Sequence, residues 1–226
     1  MKLLTIDTAT ETCGVALTED TQLVADYRIN QKNVHNEKLV STIQHLLADV
    51  GWPLSDLEGI VFSKGPGSFT GLRIGISVSK GLSFSLGIPI VGVNTLDALA
   101  FGAPNWANKI CAVIKAREKE VYFALYEKSL TSFERCSEYE IIHLEKLPKK
   151  LNSKTLVVSN PAELVSSADN TETVTAPREY SLLKPLIIAE LGFKKFQANE
   201  IENPETAEPF YLKDFTPKRK VYYAEQ

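Results

Sequence analysis

Gly65-Pro-Gly-Ser-Phe-Thr-Gly-Leu-Arg-Ile74 decides the fold. The stretch follows an apolar run, Gly59-Ile-Val-Phe62, that reads as a buried strand, and it opens into a segment, Thr70 to Gly87, with helical periodicity. A glycine-rich turn from strand into helix leaves backbone N–H groups unpaired and aims the positive end of the helix at whatever sits there, usually an anion. Pro66 fixes its own φ, Gly65 and Gly67 permit tight backbone, and Ser68 or Thr70 can cap the first helical turn. A well-capped turn that binds nothing fits the same residues.

The helix behind the turn carries two ladders at a spacing of four. Gly71, Gly75, Ser79 and Ser83 make a stripe of small side chains, and Ile74, Val78, Leu82 and Leu86 make a large apolar stripe beside it. Small residues let another backbone come close, while large ones fill a neighbouring groove. A glycine inside a helix costs about 1 kcal/mol relative to alanine, so Gly71 and Gly75 need a packing reason. Two reasons fit equally: packing on this chain's own sheet and helices, or contact with a helix of another chain.

Bulk properties are those of a globular protein. The 226 residues are 44% apolar and 23% charged, with a formal charge of -3, which gives no electrostatic ground for nucleic-acid binding by the chain as a whole. No apolar stretch approaches the ~20 residues of a membrane span. Met1 to Asp7 reads as a strand rather than a signal peptide, because Asp7 interrupts the apolar run early. Cys13, Cys111 and Cys136 are odd in number and scattered, which argues against a disulfide framework and for the cytoplasm.

Working outward from the glycine turn, strands are expected at Lys2–Asp7, Cys13–Thr18 and Leu23–Ile29, with an amphipathic helix from His35 to Val50. After the glycine helix come a strand at Ile88–Val93 and a helix at Thr95–Phe101. The pattern predicts a mixed sheet covered by helices. The second half starts over with a hairpin, Lys109–Ile114 and Glu120–Tyr126 around Lys115–Lys119. A pairing stretch at Thr131–Tyr139, a short strand at Lys154–Ser159 and a helix at Ser181–Phe196 follow. The repeated layout suggests two related lobes, residues 1–103 and 104–204, with a tail, 205–226, docking back on the body.

Candidate chemistry is sparse. Asp7 and Thr8 follow the first strand, where an acid and hydroxyls could hold a metal-bound phosphate, though an Asx turn is the preferred reading. His35 and His45 project about 80° apart around one helix, so they do not make a zinc pair. His35 beside Asn36 and Glu37 reads as a capping or interface cluster. Arg117, Glu118 and Glu120 fit a solvated hairpin. The aromatic tail, Glu208 to Phe215, reads as docked. Lys218-Arg-Lys220 with Val221-Tyr-Tyr223 fits a frayed end better than an RNA contact. Eleven of the twelve glycines lie at or before Gly102, so the second lobe lacks the glycine-rich loops that a two-lobed phosphotransferase needs around its nucleotide.

Several of these segments, in this order, resemble one family. Leu4-Thr-Ile-Asp-Thr-Ala-Thr10, His35-Asn-Glu-Lys-Leu39, Gly65 through Gly75, Ala116-Arg-Glu-Lys-Glu-Val-Tyr122 and Pro209-Phe-Tyr-Leu212 are similar to the TsaB (YeaZ) family. The resemblance covers nearly the whole chain, and the glycine run is its most specific part. It implies the actin/sugar-kinase/Hsp70-like fold, α/β with two lobes of mixed sheet. It also implies a non-catalytic dimerisation subunit of the bacterial tRNA threonylcarbamoyladenosine (t6A) machinery. Family members pair with TsaD, a metal-binding paralogue that transfers threonylcarbamoyl to N6 of adenosine 37 in ANN-decoding tRNAs. TsaE, an ATPase, joins the complex, and TsaC supplies the activated intermediate.

In TsaD two metal-binding histidines follow the strand matching Ile88–Val93, and Thr95 and Leu99 stand at those positions here. No catalytic residue, metal or intrinsic cofactor is therefore expected. The family heterodimer implies a bundle of His35–Val50 and Thr70–Gly87 with the partner's helices. It would use His35, Glu37, Leu39, Ile43 and Leu46 from the first helix, and Gly71, Arg73, Ile74, Gly75, Val78, Ser79 and Leu82 from the second. A weakly held ADP or ATP at the subunit boundary is compatible with this, with Asp7, Thr8, Gly65, Gly67, Ser68 and Thr70 as the loop for it. A homodimer of the isolated chain is also compatible. Lys115 stands where the family often has Asp. The competing class is an enzyme: an ATPase or small-molecule kinase of the same superfamily, or a peptidase.

Overall fold

The structure, a computed structural model, describes residues 1–31, 35–151, 154–165 and 174–212, with the side chains of residues 35 and 36 outside that description. The first sheet takes strands β1 (Lys2–Asp7), β2 (Thr12–Glu19), β3 (Gln22–Asn30), β4 (Gly59–Gly65) and β5 (Ile90–Asn94), in the order β3-β2-β1-β4-β5. β1 runs antiparallel to β2 and parallel to β4, with Leu4 opposite Leu17 on one side and Ile60 on the other. As a central strand covered on both faces it is buried from Leu3 through Asp7. Leu4, Ile6, Val15, Leu17, Ile60 and Phe62 point outward, under α1 (His35–Asp49) and α2 (Phe69–Leu86). Leu3 and Val61 point the other way.

The second sheet repeats that connectivity. Strands β6 (Lys109–Lys115), β7 (Glu120–Lys128), β8 (Phe133–Arg135), β9 (Glu140–His143), β10 (Leu156–Asn160) and β11 (Val174–Thr175) form it in the order β11-β10-β6-β7-β8, with β9 also on β7. β6 is antiparallel to β7 and parallel to β10, as β1 is to β2 and β4. Helix α3 (Thr95–Phe101) follows β5 and α4 (Pro185–Gln197) follows β11, and both lie between the sheets. One core cluster joins them, from Leu3 and Val61 through Leu96 and Leu99 to Ile110, Val158 and Ile188.

Two expectations change. The helix expected from Ser181 begins at Pro185, whose missing N–H suits a first turn, and a 3₁₀ turn at Arg178–Tyr180 precedes it. That helix packs on the first sheet: Gly192 lies on Val61, Phe196 against Gly59 and Pro185 against Gly14. So α4, which falls within residues 104–204, contacts strands of the first sheet. Of the stretch expected at Thr131–Tyr139 only β8, Phe133–Arg135, is a strand, and β9, Glu140–His143, follows it. β8 pairs with Tyr126–Lys128 and β9 with Glu120–Phe123, and between them Ser137 Oγ accepts from the Leu125 amide. A side chain takes over one rung of the ladder and the strand breaks there.

Candidate functional site

The turns β1–β2 and β6–β7 face each other across a cleft of about 1230 Å³ between the lobes. Thr10, Glu11, Gly67, Ser68 and Thr70 line one wall, and Lys115, Arg117, Glu120 and Tyr122 the other. The glycine turn is built by close approach. A Cβ at Gly67 would collide with the Ala9 carbonyl, and Gly65, at φ +118, leaves room for the Phe210 carbonyl. Ser68 caps α2, its Oγ accepting from the Gly71 amide at 3.2 Å.

Three backbone donors in these turns are engaged within the chain. Ala9 N–H donates to Asp7 Oδ1 at 3.1 Å, Thr12 N–H to Thr10 Oγ1 at 3.3 Å, and Ser68 N–H to the Ala9 carbonyl at 2.7 Å. Asp7 and Thr8 are fully buried, and Thr8 N–H donates to Ser63 Oγ at 3.1 Å. Of the loop read from the sequence, Gly67, Ser68 and Thr70 reach the cleft; Asp7, Thr8 and Gly65 lie behind it. Burial, followed by the charge of Asp7, pushes the Cys13 thiol up to about 11, so it is protonated at neutral pH. Thr95 and Leu99 are buried in the core.

The two ladders of α2 divide between the inside and the outer surface. Gly71 and Gly75 sit on the Thr8 carbonyl and hydroxyl, where a Cβ would clash. Ser79 is buried and donates back to the Gly75 carbonyl at 2.8 Å, and Ser83 donates to the Ile88 carbonyl at 2.6 Å. Gly71, Gly75 and Ser79 therefore belong to the fold and not to an outer surface, which corrects one of the two packings the sequence allowed. Leu39, Ile43 and Leu46 of α1 are likewise core, 1%, 4% and 7% exposed. Glu37 and Arg73 are exposed, and Ile74, Val78 and Leu82 are half-buried at the edge of that core. The side chain of His35 lies outside the described residues.

Two outward apolar residues of these helices went unnoticed in the sequence: Val40 on α1, 52% exposed, and Phe84 on α2, 59% exposed. Both stand off the periodic stripe, and that was the available signal. The tail docks as far as it is described. Phe210 N–H donates to the Lys64 carbonyl at 2.8 Å. Arg73 donates to Tyr211 Oη at 3.2 Å, with its guanidinium 3.9 Å above the Phe69 ring. Residues 213–226, including Lys218–Lys220 and Val221–Tyr223, lie outside the described residues. Among the described residues no helix is long and apolar enough to cross a membrane.

A family model described as TsaD, tRNA N6-adenosine threonylcarbamoyltransferase, matches residues 22–208. The TsaB protein of Buchnera aphidicola subsp. Schizaphis graminum is 34% identical over 164 residues, 70% of this chain and 78% of that protein. The chain belongs to the TsaB family. The Escherichia coli TsaB protein is 40% identical over 130 residues, and the chain spans 56% of that relative's length. Among solved structures, YeaZ from Pseudomonas aeruginosa superposes with a TM-score of 0.80 at 28% identity, over 93% of this chain and 99% of the other. The paired mixed sheets with α3 and α4 between them are the two-lobed α/β arrangement that the family resemblance implied.

Proposed function

We propose that this TsaB-family chain is a subunit of the machinery that makes threonylcarbamoyladenosine in tRNA, and that it acts by pairing with a TsaD protein rather than by chemistry of its own. The observation that carries the reading is the outer surface of α1 and α2. Val40 on α1 and Phe84 on α2 stand exposed, and Ile74, Val78 and Leu82 of α2 are half-buried, while the small ladder is committed inside. Exposed apolar side chains on packed helices are what a partner helix can cover. Arg73 and Glu37 at its rim supply charge for register.

The cleft supports the non-catalytic part. Three of its turn amides, those of Ala9, Thr12 and Ser68, are held by Asp7, Thr10 and the Ala9 carbonyl, so these three are not free for a phosphate. A weakly held ADP or ATP therefore belongs, in this reading, at the boundary with the partner, beside Gly67, Ser68 and Thr70. TsaE completes the assembly, TsaC supplies the intermediate, and the complex works in the cytoplasm. The same helices pair two copies when the partner is missing.

The test is transfer of labelled threonine onto tRNA by matching TsaC, TsaD and TsaE, with and without this chain. Label that needs both the chain and TsaD is the expected result. Full transfer without the chain would overturn the reading, and ATP turnover by the chain alone would favour the kinase or ATPase class.

A further inference from the structure

One polar cluster ties the helix after β5 to the second sheet. Tyr126 Oη donates to Asp97 Oδ1 at 2.8 Å, and Tyr139 Oη lies 2.9 Å from both oxygens of the same carboxylate. Asp97 is in the first turn of α3, Tyr126 points inward from β7, and Tyr139 comes from the break between β8 and β9. The Arg135 guanidinium covers the Tyr139 ring at 4.1 Å, and the Phe210 ring meets Tyr139 at 5.4 Å. Phe210 in turn is bonded to Lys64 and pressed onto Gly65. A carboxylate between the lobes, two phenols of the second sheet and the strap over the glycine turn are thus one contiguous set.

We propose that Asp97, Tyr126 and Tyr139 form an interlobe latch that holds the cleft at one width and seats the 208–212 strap over the glycine turn. Apart from Lys128 Nζ, which donates to the Phe101 and Ala103 carbonyls at 2.6 and 2.7 Å, the neighbouring interlobe contact of Leu96, Leu99, Ile110 and Val158 is apolar: it resists separation but has no preferred direction. Hydrogen bonds to a charged acceptor are short and directional, and they fix orientation where apolar contact permits sliding. Burial pushes the Asp97 carboxyl above its usual range, and the two phenols, Arg135 and Lys195 pull it back. A carboxylate kept there against desolvation needs both donors. Losing either phenol leaves a buried acceptor short of a partner and loosens the whole set.

The test measures the cleft directly. Spin labels at Thr70→Cys and Lys115→Cys report its two walls in the full chain. Cys136→Ser removes the exposed thiol, and Cys13 and Cys111 are buried and do not label. Tyr139→Phe, which deletes one oxygen, is expected to stay folded and to give a broader distance distribution, displaced from that of the unmodified latch. Asp97→Ala is expected to move it further. Ser83→Ala, which removes a hydrogen bond far from the latch, is expected to leave it unchanged. An unaltered distribution in folded Tyr139→Phe overturns the latch, as does equal broadening in Ser83→Ala.

Discussion

The two lobes share one strand order but not one outer layer. In the first, the segments after β3 and β4 are long helices, α1 and α2. In the second, the corresponding places after β9 and β10 hold 3₁₀ turns, Leu144–Lys150 and Ala162–Leu164. The turns suffice to cover the sheet, since Leu147 closes the small cluster of Val113, Phe123 and Val157. Long helices are therefore more than a lid on a sheet of this kind. They add a surface, and only the first lobe has it among the described residues. The glycines follow the same split, because close approach of α2 to the Thr8 turn has no counterpart in the second lobe.

The comparison breaks most visibly at Gly75. Leucine there would drive a side chain into the buried Thr8 hydroxyl, and overpacking of this kind costs about 1–3 kcal/mol, more where backbone must move. We expect Gly75→Leu to unfold at clearly lower urea than the unmodified chain, or not to fold. A variant with native stability that merely fails to pair would return the small ladder to the outer surface. Ser68→Ala removes the α2 cap that the second lobe's turn at Ala162 lacks, and should cost about 1 kcal/mol in the same titration. No loss would mean that α2 is positioned by Gly71 and Gly75 alone.

The smallest effect is a pH dependence. Desolvation raises the Asp97 carboxyl above 3.8, its ordinary value, so the folded chain keeps this proton to higher pH than the unfolded one. Asp97 then contributes stability as pH falls through the folded value and withdraws it as pH rises. Asp97→Asn carries no such proton, so its melting temperature should gain on that of the unmodified chain as pH rises above about 4. Parallel pH curves would mean that the phenols offset the burial completely.

How much of this was legible follows from where the signals are local. β1, β2, α2 and α3 announce themselves by period, caps and the Gly65–Gly67 turn, and their bounds fall within a residue or so of the structure. The direction of the small ladder was not legible, because a stripe of Gly71, Gly75 and Ser79 has the same period whether it faces Thr8 or another chain. Leu39, Ile43 and Leu46 illustrate the converse: the family resemblance placed them at an interface, while their own apolar period is that of a core. The sheet on which α4 packs is a matter of topology, which no window of sequence contains. The Asp97 cluster joins residues 29 and 42 positions apart, each unremarkable where it stands.

The outer face of α1 and α2 as the partner surface is the central claim, and Phe84→Asp tests it most directly. Affinity for TsaD by sedimentation, read alongside the melting temperature, separates pairing from folding. We expect melting within about 0.5 kcal/mol of the unmodified chain, as for an exposed site, and binding weakened by roughly 2 kcal/mol, about thirtyfold. Unchanged affinity in the folded variant would contradict the account and move the partner to another surface.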